Sequence, residues 1–141
     1  MRSALTRSAA ETEQVAAELA AHFRGGEVVL LTGELGAGKT AFVRGLARGL
    51  GSDPEEVASP TFVLLTTYPG RITLHHADLY RLARPGEDAD LGLEELPGPR
   101  GVLAVEWAER LGDCPWPRVV RVRLEHAGED TRRIEIEEPG A

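Results

Sequence analysis

The residues of this chain with the clearest potential for chemistry are residues 33–40, which read Gly-Glu-Leu-Gly-Ala-Gly-Lys-Thr. This G-x-x-x-x-G-K-T pattern is typical of a loop that binds phosphate groups. From the chain's own frequencies of these residue types, chance would produce the pattern roughly once in a thousand such sequences. Lys39 is the only lysine among sixteen lysine and arginine side chains. Because a compact ammonium and a planar guanidinium are not interchangeable, we expect position 39 to require a narrow point charge that reaches between two phosphates.

Such a loop predicts nucleotide binding at the start of a helix. Its backbone N–H groups are expected to donate to phosphate oxygens, where the helix dipole also favours an anion. Lys39 is expected to neutralise the β- and γ-phosphates, and the Thr40 hydroxyl is expected to ligate Mg²⁺. The residues expected to contact the nucleotide along the loop are Glu34, Leu35, Gly36, Ala37, Gly38, Lys39, Thr40 and Ala41. A guanine-specific Asn/Thr-Lys-x-Asp motif would need a second lysine, so ATP is favoured over GTP.

Two carboxylates are candidates to complete a magnesium site. Magnesium prefers oxygen ligands and keeps several waters, so it needs a nearby carboxylate, and in P-loop proteins that carboxylate ends a neighbouring core strand. Glu106 follows the apolar residues 102–105, and Asp78 follows residues 72–77. Either carboxylate could hold the metal or orient an attacking water. The alternative for each is an acid at the end of a strand that caps a turn.

Other candidate residues are less constrained by the sequence. A γ-phosphate sensor is expected on a loop that orders around Mg·ATP, and Thr61 is the candidate, its alternative being an ordinary polar start of a strand. Charge stabilisation could come from any of four arginines, which the sequence does not rank: Arg44, Arg81, Arg84 and Arg132. His75 and His76 are expected to be structural, because no cluster of Cys or His lies nearby. Trp107 is expected to pack in the core.

Hydrophobic spacing predicts the strand and the two helices that must position these residues. Residues 27–32, before the loop, predict a buried strand. After the loop, apolar residues at helical spacing predict a helix that stops at Gly51. These residues are Phe42, Val43, Leu46, Ala47 and Leu50. An earlier helix is predicted to begin with a capping box at Ser8 and Glu11 and to end at Gly25 and Gly26. Its buried face is predicted to be Val15, Ala16, Leu19, Ala20 and Phe23.

The strand patterns predict a mixed sheet. Residues 102–105 are expected to lie beside the P-loop strand, and residues 62–65 and 72–77 are expected to form a hairpin. Alternating apolar and charged residues between positions 120 and 137 predict a second antiparallel hairpin. Residues 84–100 predict a mobile connector that holds one short helix. The predicted fold is therefore an α/β, P-loop NTPase-like three-layer sandwich with a mixed sheet and a C-terminal antiparallel hairpin.

Length and composition limit the class of protein. With 141 residues, we expect a single domain over residues 1–141, with an ordered core from about residue 8 to about residue 136. The formal net charge of −7 argues against a protein whose primary ligand is a nucleic acid, because such proteins normally show a basic surface. Cys114 is alone, and no stretch resembles a membrane span or a secretory signal. A cytoplasmic protein is expected.

Four motifs occur in order along the chain, at residues 33–40, 59–62, 76–81 and 105–107. Their residues and their order resemble the TsaE family, the small ATPases of bacterial tRNA threonylcarbamoyladenosine synthesis. The resemblance covers residues 8–136, which is nearly the whole chain. The family usually has Phe where this chain has Ala77, and Ile where it has Val105. Both differences fall on apolar positions and leave the polar groups of the motifs intact.

The resemblance implies an α/β P-loop fold with slow, Mg²⁺-dependent ATP hydrolysis. It implies that Thr40 and Glu106 are the metal ligands, that Asp78 is needed for hydrolysis, and that Thr61 lies in a switch-like loop. Two further residues match family positions near the nucleotide, Thr12 and Arg132.

The resemblance also implies partners. Family members bind a complex of TsaB and TsaD and reset it between catalytic cycles, while TsaD carries out the carbamoyl transfer to adenosine 37 of tRNA. The chain is therefore expected to meet tRNA only indirectly, through the complex, and to meet no membrane. Two other functions stay open: a small-molecule or nucleotide kinase of P-loop fold, and a nucleotide-dependent scaffold that does not hydrolyse ATP. Against the kinase, residues 84–100 are short for an arginine-bearing lid.

Overall fold

The computed structural model describes residues 2–34, 36–57, 65–80, 82, 91–112 and 114–139, and within them a seven-stranded mixed sheet forms the centre of the molecule. The strands are β1 (Arg2–Thr6), β2 (Val28–Gly33), β3 (Leu65–Tyr68), β4 (Thr73–Asp78), β5 (Gly101–Glu106), β6 (Val119–His126) and β7 (Arg132–Glu137). They lie in the order β1-β7-β6-β2-β5-β4-β3. The pairs β2–β5, β2–β6 and β4–β5 are parallel and the other pairs are antiparallel. The predicted mixed sheet is confirmed.

Helical segments cover both faces of this sheet. The α-helices are α1 (Ala9–Ala20) and α2 (Lys39–Gly49), and 3₁₀ helices cover Pro54–Glu56, Leu93–Glu95 and Ala108–Arg110. Both α-helices pack on one face, where their apolar residues form one core with alternate residues of the strands. On the other face, Leu93, Leu96 and Trp116 pack against β2 and β5. Within the described residues, the third layer of the predicted sandwich therefore consists of coil and 3₁₀ helix.

Helix α1 begins where the sequence predicted. The Ser8 hydroxyl accepts a hydrogen bond from the Glu11 N–H at 3.1 Å, and Ser8 is the N-cap. The Glu11 carboxylate accepts from the Arg7 N–H at 2.9 Å. In a standard capping box it would accept from the N–H of the N-cap residue itself, which is Ser8 here. The regular helix ends at Ala20, before the glycine pair at which its end was predicted. The predicted apolar face is buried except for Val15, which is half-buried.

The two helices approach each other closely at Gly45 of α2. A Cβ added there would lie 2.2 Å from the Glu13 carbonyl oxygen and 2.6 Å from the Ala16 Cβ. Real Cβ atoms do not approach other heavy atoms so closely, because packed protein interiors already sit at van der Waals contact. Glycine at position 45 therefore sets the distance between α1 and α2, and with it the position of α1 beside the phosphate-binding loop.

Arg71 holds the carboxyl ends of both α-helices. Its guanidinium donates to the carbonyl oxygens of Phe23 at 3.1 Å, Ala20 at 3.2 Å and Gly49 at 2.9 Å. Carbonyl groups at the end of a helix lack intrahelical partners and carry partial negative charge. One planar side chain in the β3–β4 turn thus satisfies groups from two helices.

Strand β1 was not predicted, and it precedes the capping box of α1. The strand pairs antiparallel with β7, with Arg2 opposite Ile136 and Thr6 opposite Arg132. Along it only Thr6 is buried and Ala4 is half-buried. An edge strand with so little apolar alternation gives almost no sequence pattern.

The remaining strand predictions are confirmed. Strand β5 lies parallel beside the P-loop strand β2, and β6 and β7 form the terminal antiparallel hairpin. Strands β3 and β4 form the earlier hairpin, although residues 62–64 of its predicted first strand lie outside the described residues. Within the described part of the connector, the short helix is the 3₁₀ turn Leu93–Glu95. No helix in the described ranges is both long and apolar enough to cross a membrane.

Candidate functional site

The loop with the phosphate-binding pattern connects β2 to α2, in the strand–loop–helix context that the pattern requires. Gly36 and Gly38 have φ angles of +77° and +102°, a left-handed conformation that glycine adopts without strain from a Cβ. A Cβ at Gly33 would lie 2.3 Å from the Leu124 carbonyl oxygen of β6, so only glycine fits where the loop leaves the sheet. Gly38 is the N-cap of α2 and supplies no side-chain cap. The first N–H groups of α2 can therefore donate to an anion.

The Lys39 ammonium lies inside its own loop. Its Nζ donates to the carbonyl oxygens of Gly33 at 2.6 Å and Glu34 at 2.8 Å, and it lies 4.0 Å from the centroid of the Trp107 indole. The residue is only 5% exposed. Burial lowers the pKa of Lys39, and carboxylates nearby oppose that shift: those of Glu109, Glu106, Asp78 and Glu34. The ammonium is thus desolvated but surrounded by groups that favour its charge.

Thr40 and Glu106, predicted as metal ligands, are brought into direct contact. Thr40 Oγ1 donates to Glu106, with distances of 3.1 Å to Oε1 and 3.3 Å to Oε2. Thr40 lies in the first turn of α2, while Glu106 ends β5, where it pairs with Leu31 of β2. Because β2 and β5 are parallel, the end of β5 and the start of the loop meet at the same edge of the sheet.

These two residues fit a bound magnesium ion. Within the described residues there is no cluster of three or more His, Cys, Asp or Glu side chains that could hold a metal by itself. Magnesium does not need one, because it is usually held by one or two carboxylates together with substrate phosphates and waters. The Thr40 hydroxyl and the Glu106 carboxylate offer the hard oxygen ligands that it prefers.

Asp78, the second candidate carboxylate, lies next to Glu106 across the β4–β5 pair. Its Oδ1 accepts a hydrogen bond from the Tyr80 N–H at 3.0 Å, so one oxygen caps the turn after β4, as the alternative interpretation expected. Burial raises the pKa of Asp78, the Tyr80 hydrogen bond opposes that shift, and the Glu106 charge adds to it. The positive charge of Lys39 acts in the opposite direction.

His76 joins this group, although its predicted role was structural. Its Nε2 lies 2.6 Å from Glu106 Oε2, and the residue is fully buried. His75, by contrast, bonds Thr67 Oγ1 at 3.0 Å within the β3–β4 hairpin. The signal that could have found His76 is strand alternation, because His76 and Asp78 are two residues apart and share a face of β4.

Trp107 does more than pack in the core, which was its predicted role. It packs partly against the core on the connector side, and its indole also lies over the Lys39 ammonium, an arrangement in which the ring face attracts the charge. Its backbone has φ +57°, which is uncommon for a residue with a Cβ. The Tyr80 ring centroid lies 5.1 Å from that of Trp107, and the Arg110 guanidinium lies 5.6 Å from the Trp107 ring.

Beside the loop, on the α1 side, lies a cavity of about 410 Å³. Five residues predicted near the nucleotide line it: Thr12, Gly36, Gly38, Ala41 and Arg132. Four more were not predicted: Arg7, Ser8, Ala9 and Asp130. The Arg132 guanidinium donates to the Gly36 carbonyl oxygen at 3.2 Å, while the Thr12 hydroxyl is paired with Thr6 Oγ1 at 2.8 Å.

Some predicted residues are not among those that the structure describes, and one that is described lies away from the site. Leu35, Thr61, Arg81 and Arg84 lie outside the described residues. The Arg44 Nε donates to the Val57 carbonyl oxygen at 3.1 Å, which ties the outer side of α2 to the chain just before residue 58. Two of the four candidate arginines are described, Arg44 and Arg132. Of these two, Arg132 is the one that contacts the phosphate-binding loop.

The parallel strands around β2, the glycine loop before α2 and the Thr40–Glu106 contact define a P-loop protein. Comparison with known families identifies the particular family within this class. The model described as "Threonylcarbamoyl adenosine biosynthesis protein TsaE" matches residues 6–134. The chain belongs to the TsaE family, which confirms the resemblance drawn from its motifs.

Individual relatives agree with this assignment. The chain is 41% identical over 132 residues to a Treponema pallidum protein, covering 94% of this chain and 97% of the relative. It is 40% identical over 125 residues to a Bacillus subtilis protein, covering 88% and 77%. Both are named tRNA threonylcarbamoyladenosine biosynthesis protein TsaE. The crystal structure of Bacillus subtilis YdiB superimposes with a TM-score of 0.75 at 33% identity, covering 99% of this chain and 86% of that one.

Proposed function

We propose that this chain is a magnesium-dependent ATPase that serves tRNA N6-threonylcarbamoyladenosine biosynthesis by acting on a TsaB–TsaD complex. The observation that carries the proposal is the 3.1 Å hydrogen bond from the Thr40 hydroxyl to the Glu106 carboxylate. It joins the phosphate-binding loop to the end of the neighbouring strand, beside the only lysine of the chain. The pathway is supported by membership of the TsaE family.

The loop and Lys39 would bind the phosphates of ATP. The N–H groups at the start of α2 donate to phosphate oxygens, and the Lys39 ammonium exchanges the carbonyl oxygens of Gly33 and Glu34 for those of the β- and γ-phosphates. Thr40 and Glu106 would hold Mg²⁺, which supplies neutralisation of the charge on the phosphate oxygens. The cavity lined by Thr12 and Arg132 would receive the ribose and the base.

Asp78 is the proposed residue for orienting the attacking water. It lies opposite Glu106 in the β4–β5 pair, at the phosphate end of the sheet. Burial raises the pKa of Asp78, which makes its carboxylate a stronger acceptor for a water proton than an exposed aspartate would be. Its bond to the Tyr80 N–H fixes one oxygen and hence the direction of the carboxylate.

Contact with tRNA is proposed to be indirect, through the partner complex. The net charge is −7, and the arginines on the outer face of the β6–β7 hairpin are matched by acids. The strand register places Arg121 opposite Glu137 and Arg123 opposite Glu135. Opposite charges in such cross-strand positions attract each other, so this hairpin does not present the basic stripe that nucleic-acid binding requires.

The test is phosphate release from ATP by the purified chain, with and without purified TsaB–TsaD and with Mg²⁺ or EDTA. We expect slow, Mg²⁺-dependent release that rises when the complex is added. Lys39→Ala should abolish most of it, whereas Arg48→Ala, which removes an exposed positive charge from the same helix, should leave it unchanged. Undiminished turnover by Lys39→Ala would contradict the proposal, and a phosphorylated acceptor without free phosphate would indicate a kinase.

A further inference from the structure

The buried contact between His76 and Glu106 has no part in the function proposed above. We infer that His76 is a positioning residue of the metal site, which holds the Glu106 carboxylate in the orientation that Thr40 and Mg²⁺ require. This inference rests on the proposed function, because it concerns how the same site binds its metal. His76 would act on the metal only through the carboxylate that it holds.

The carboxylate is held from two sides. Glu106 Oε2 lies 2.6 Å from His76 Nε2 on β4, and Oε1 lies 3.1 Å from Thr40 Oγ1 on α2. The terminal torsion of a glutamate is otherwise broad, so a carboxylate with only one partner would rotate. With Oε2 fixed by the imidazole, the orientation of Oε1 toward the phosphate-binding loop is set before any ligand arrives.

The β4–β5 register makes this contact possible. Asp78 lies opposite Glu106, and His76 lies opposite Ala104, one step earlier on the same face. Because alanine is small, the imidazole has room to extend along the sheet and reach the carboxylate. Glu106 and His76 are 2% and 0% exposed, so water does not compete for this hydrogen bond.

The proton arrangement points to the same role. An ionised carboxylate only accepts hydrogen bonds, so Nε2 of His76 is the donor in its contact with Glu106. Among the described residues, His76 Nδ1 is a buried polar atom with no hydrogen-bond partner. An apolar side chain would fill this space without burying an unpaired nitrogen. Packing alone therefore does not account for a histidine here, whereas the bond from Nε2 does.

The experiment measures how much Mg²⁺ tightens nucleotide binding, by calorimetric titration of ADP in Mg²⁺ and in EDTA. His76→Phe keeps a ring of similar size but removes the donor. We expect the Mg²⁺-dependent gain in affinity to fall by about 10-fold or more, as is usual when a hydrogen-bond partner of a metal ligand is lost, with affinity in EDTA unchanged. His75→Phe is the matched control, because the adjacent histidine bonds Thr67 instead, and it should keep the full Mg²⁺ effect.

A second pair of variants separates positioning from packing. His76→Gln can place an amide N–H near the position of Nε2 and should retain most of the Mg²⁺ effect, whereas the shorter amide of His76→Asn should not. Circular dichroism checks folding, and if His76→Phe does not fold, the Gln and Asn pair decides. A full Mg²⁺ effect in folded His76→Phe, an equal loss in Mg²⁺ and in EDTA, or rescue by Asn rather than Gln would overturn the inference. Absence of any Mg²⁺ effect in the wild-type chain would instead overturn the proposed function.

Discussion

Replacing Gly45 with alanine tests the packing that positions α1 beside the phosphate-binding loop. The added Cβ would lie 2.2 Å from the Glu13 carbonyl oxygen, 2.8 Å from the Glu13 carbonyl carbon and 2.6 Å from the Ala16 Cβ. Two of these are backbone atoms and the third is a Cβ, so no side-chain rotation relieves the overlap. In a helix without such neighbours, the same change would stabilise the protein by about 1 kcal/mol.

The magnitude follows from how far the helices must separate. An ordinary contact between carbon and a carbonyl oxygen is about 3.3 Å, so α1 must move away from α2 by about 1 Å. Overpacking of this kind costs about 3 kcal/mol, the upper end for an added methyl group, because the overlapping atoms are mostly backbone. After the gain of about 1 kcal/mol in helix propensity, we expect a net loss of about 2 kcal/mol in the free energy of unfolding. For a chain of this size, that loss lowers the melting temperature by about 6 °C.

Urea denaturation of Gly45→Ala beside the wild type measures the effect. Gly128→Ala is the matched control, because the nearest atom to a Cβ added there is the Thr131 Cβ at 3.4 Å, an ordinary contact. It should change the stability by less than about 0.5 kcal/mol. Since α1 contributes Thr12 to the cavity beside the loop, nucleotide affinity should also fall in Gly45→Ala. A Gly45→Ala protein as stable as the wild type, or more stable, would show that the helices do not meet as described.

Three further predictions concern Arg71, His75 and Thr40. Arg71→Ala should lower the free energy of unfolding by about 1 kcal/mol, because three helix-end carbonyl groups lose their donor, and Arg71→Lys should recover only part of the loss in a thermal melt. Burial lowers the pKa of His75 below its usual value of 6.5, so the unfolded chain binds more protons just below that pH. The wild type should therefore lose stability as pH falls through about 6.5, while His75→Gln should show a flatter profile by denaturation at each pH. Thr40→Val should raise the Mg²⁺ concentration needed for ATP hydrolysis by roughly 10- to 100-fold, and an unchanged Mg²⁺ titration would argue against its role as a ligand.

The central elements could be predicted because their patterns are local. Strand β2, the glycine loop and α2 are consecutive, so residue types and spacing within one stretch determine them. Strand β5 was recognisable as an apolar run that ends in Glu106, and the pairing of β2 with β5 confirms its place in the sheet. The residues alone left Glu106 and Asp78 as alternatives for the metal carboxylate, and the family resemblance implied the pair of Thr40 and Glu106. The structure joins that pair by a direct hydrogen bond.

The contacts that were missed depend on the register between strands or on backbone conformation. His76 reaches Glu106 only because β4 and β5 pair with Asp78 opposite Glu106, and a sequence does not state that alignment. Trp107 contacts Lys39 while its own backbone has a positive φ. A tryptophan in the sequence does not predict that conformation. Strand β1 has one buried residue and owes its pairing to β7. Its prediction would have required knowing that β7 had an open edge.

The burial of Lys39 has a practical consequence for labelling. A reagent that acylates amines meets only one lysine side chain in this molecule, and that amine lies within 2.8 Å of two loop carbonyl groups and beneath an indole. The rate of its modification is therefore a direct reading of how often the loop opens, without any introduced probe. Acetylation of the peptide that contains Lys39, followed in a mass spectrum, would report the state of the phosphate-binding loop. Its loss on adding nucleotide would measure occupancy inside a larger assembly.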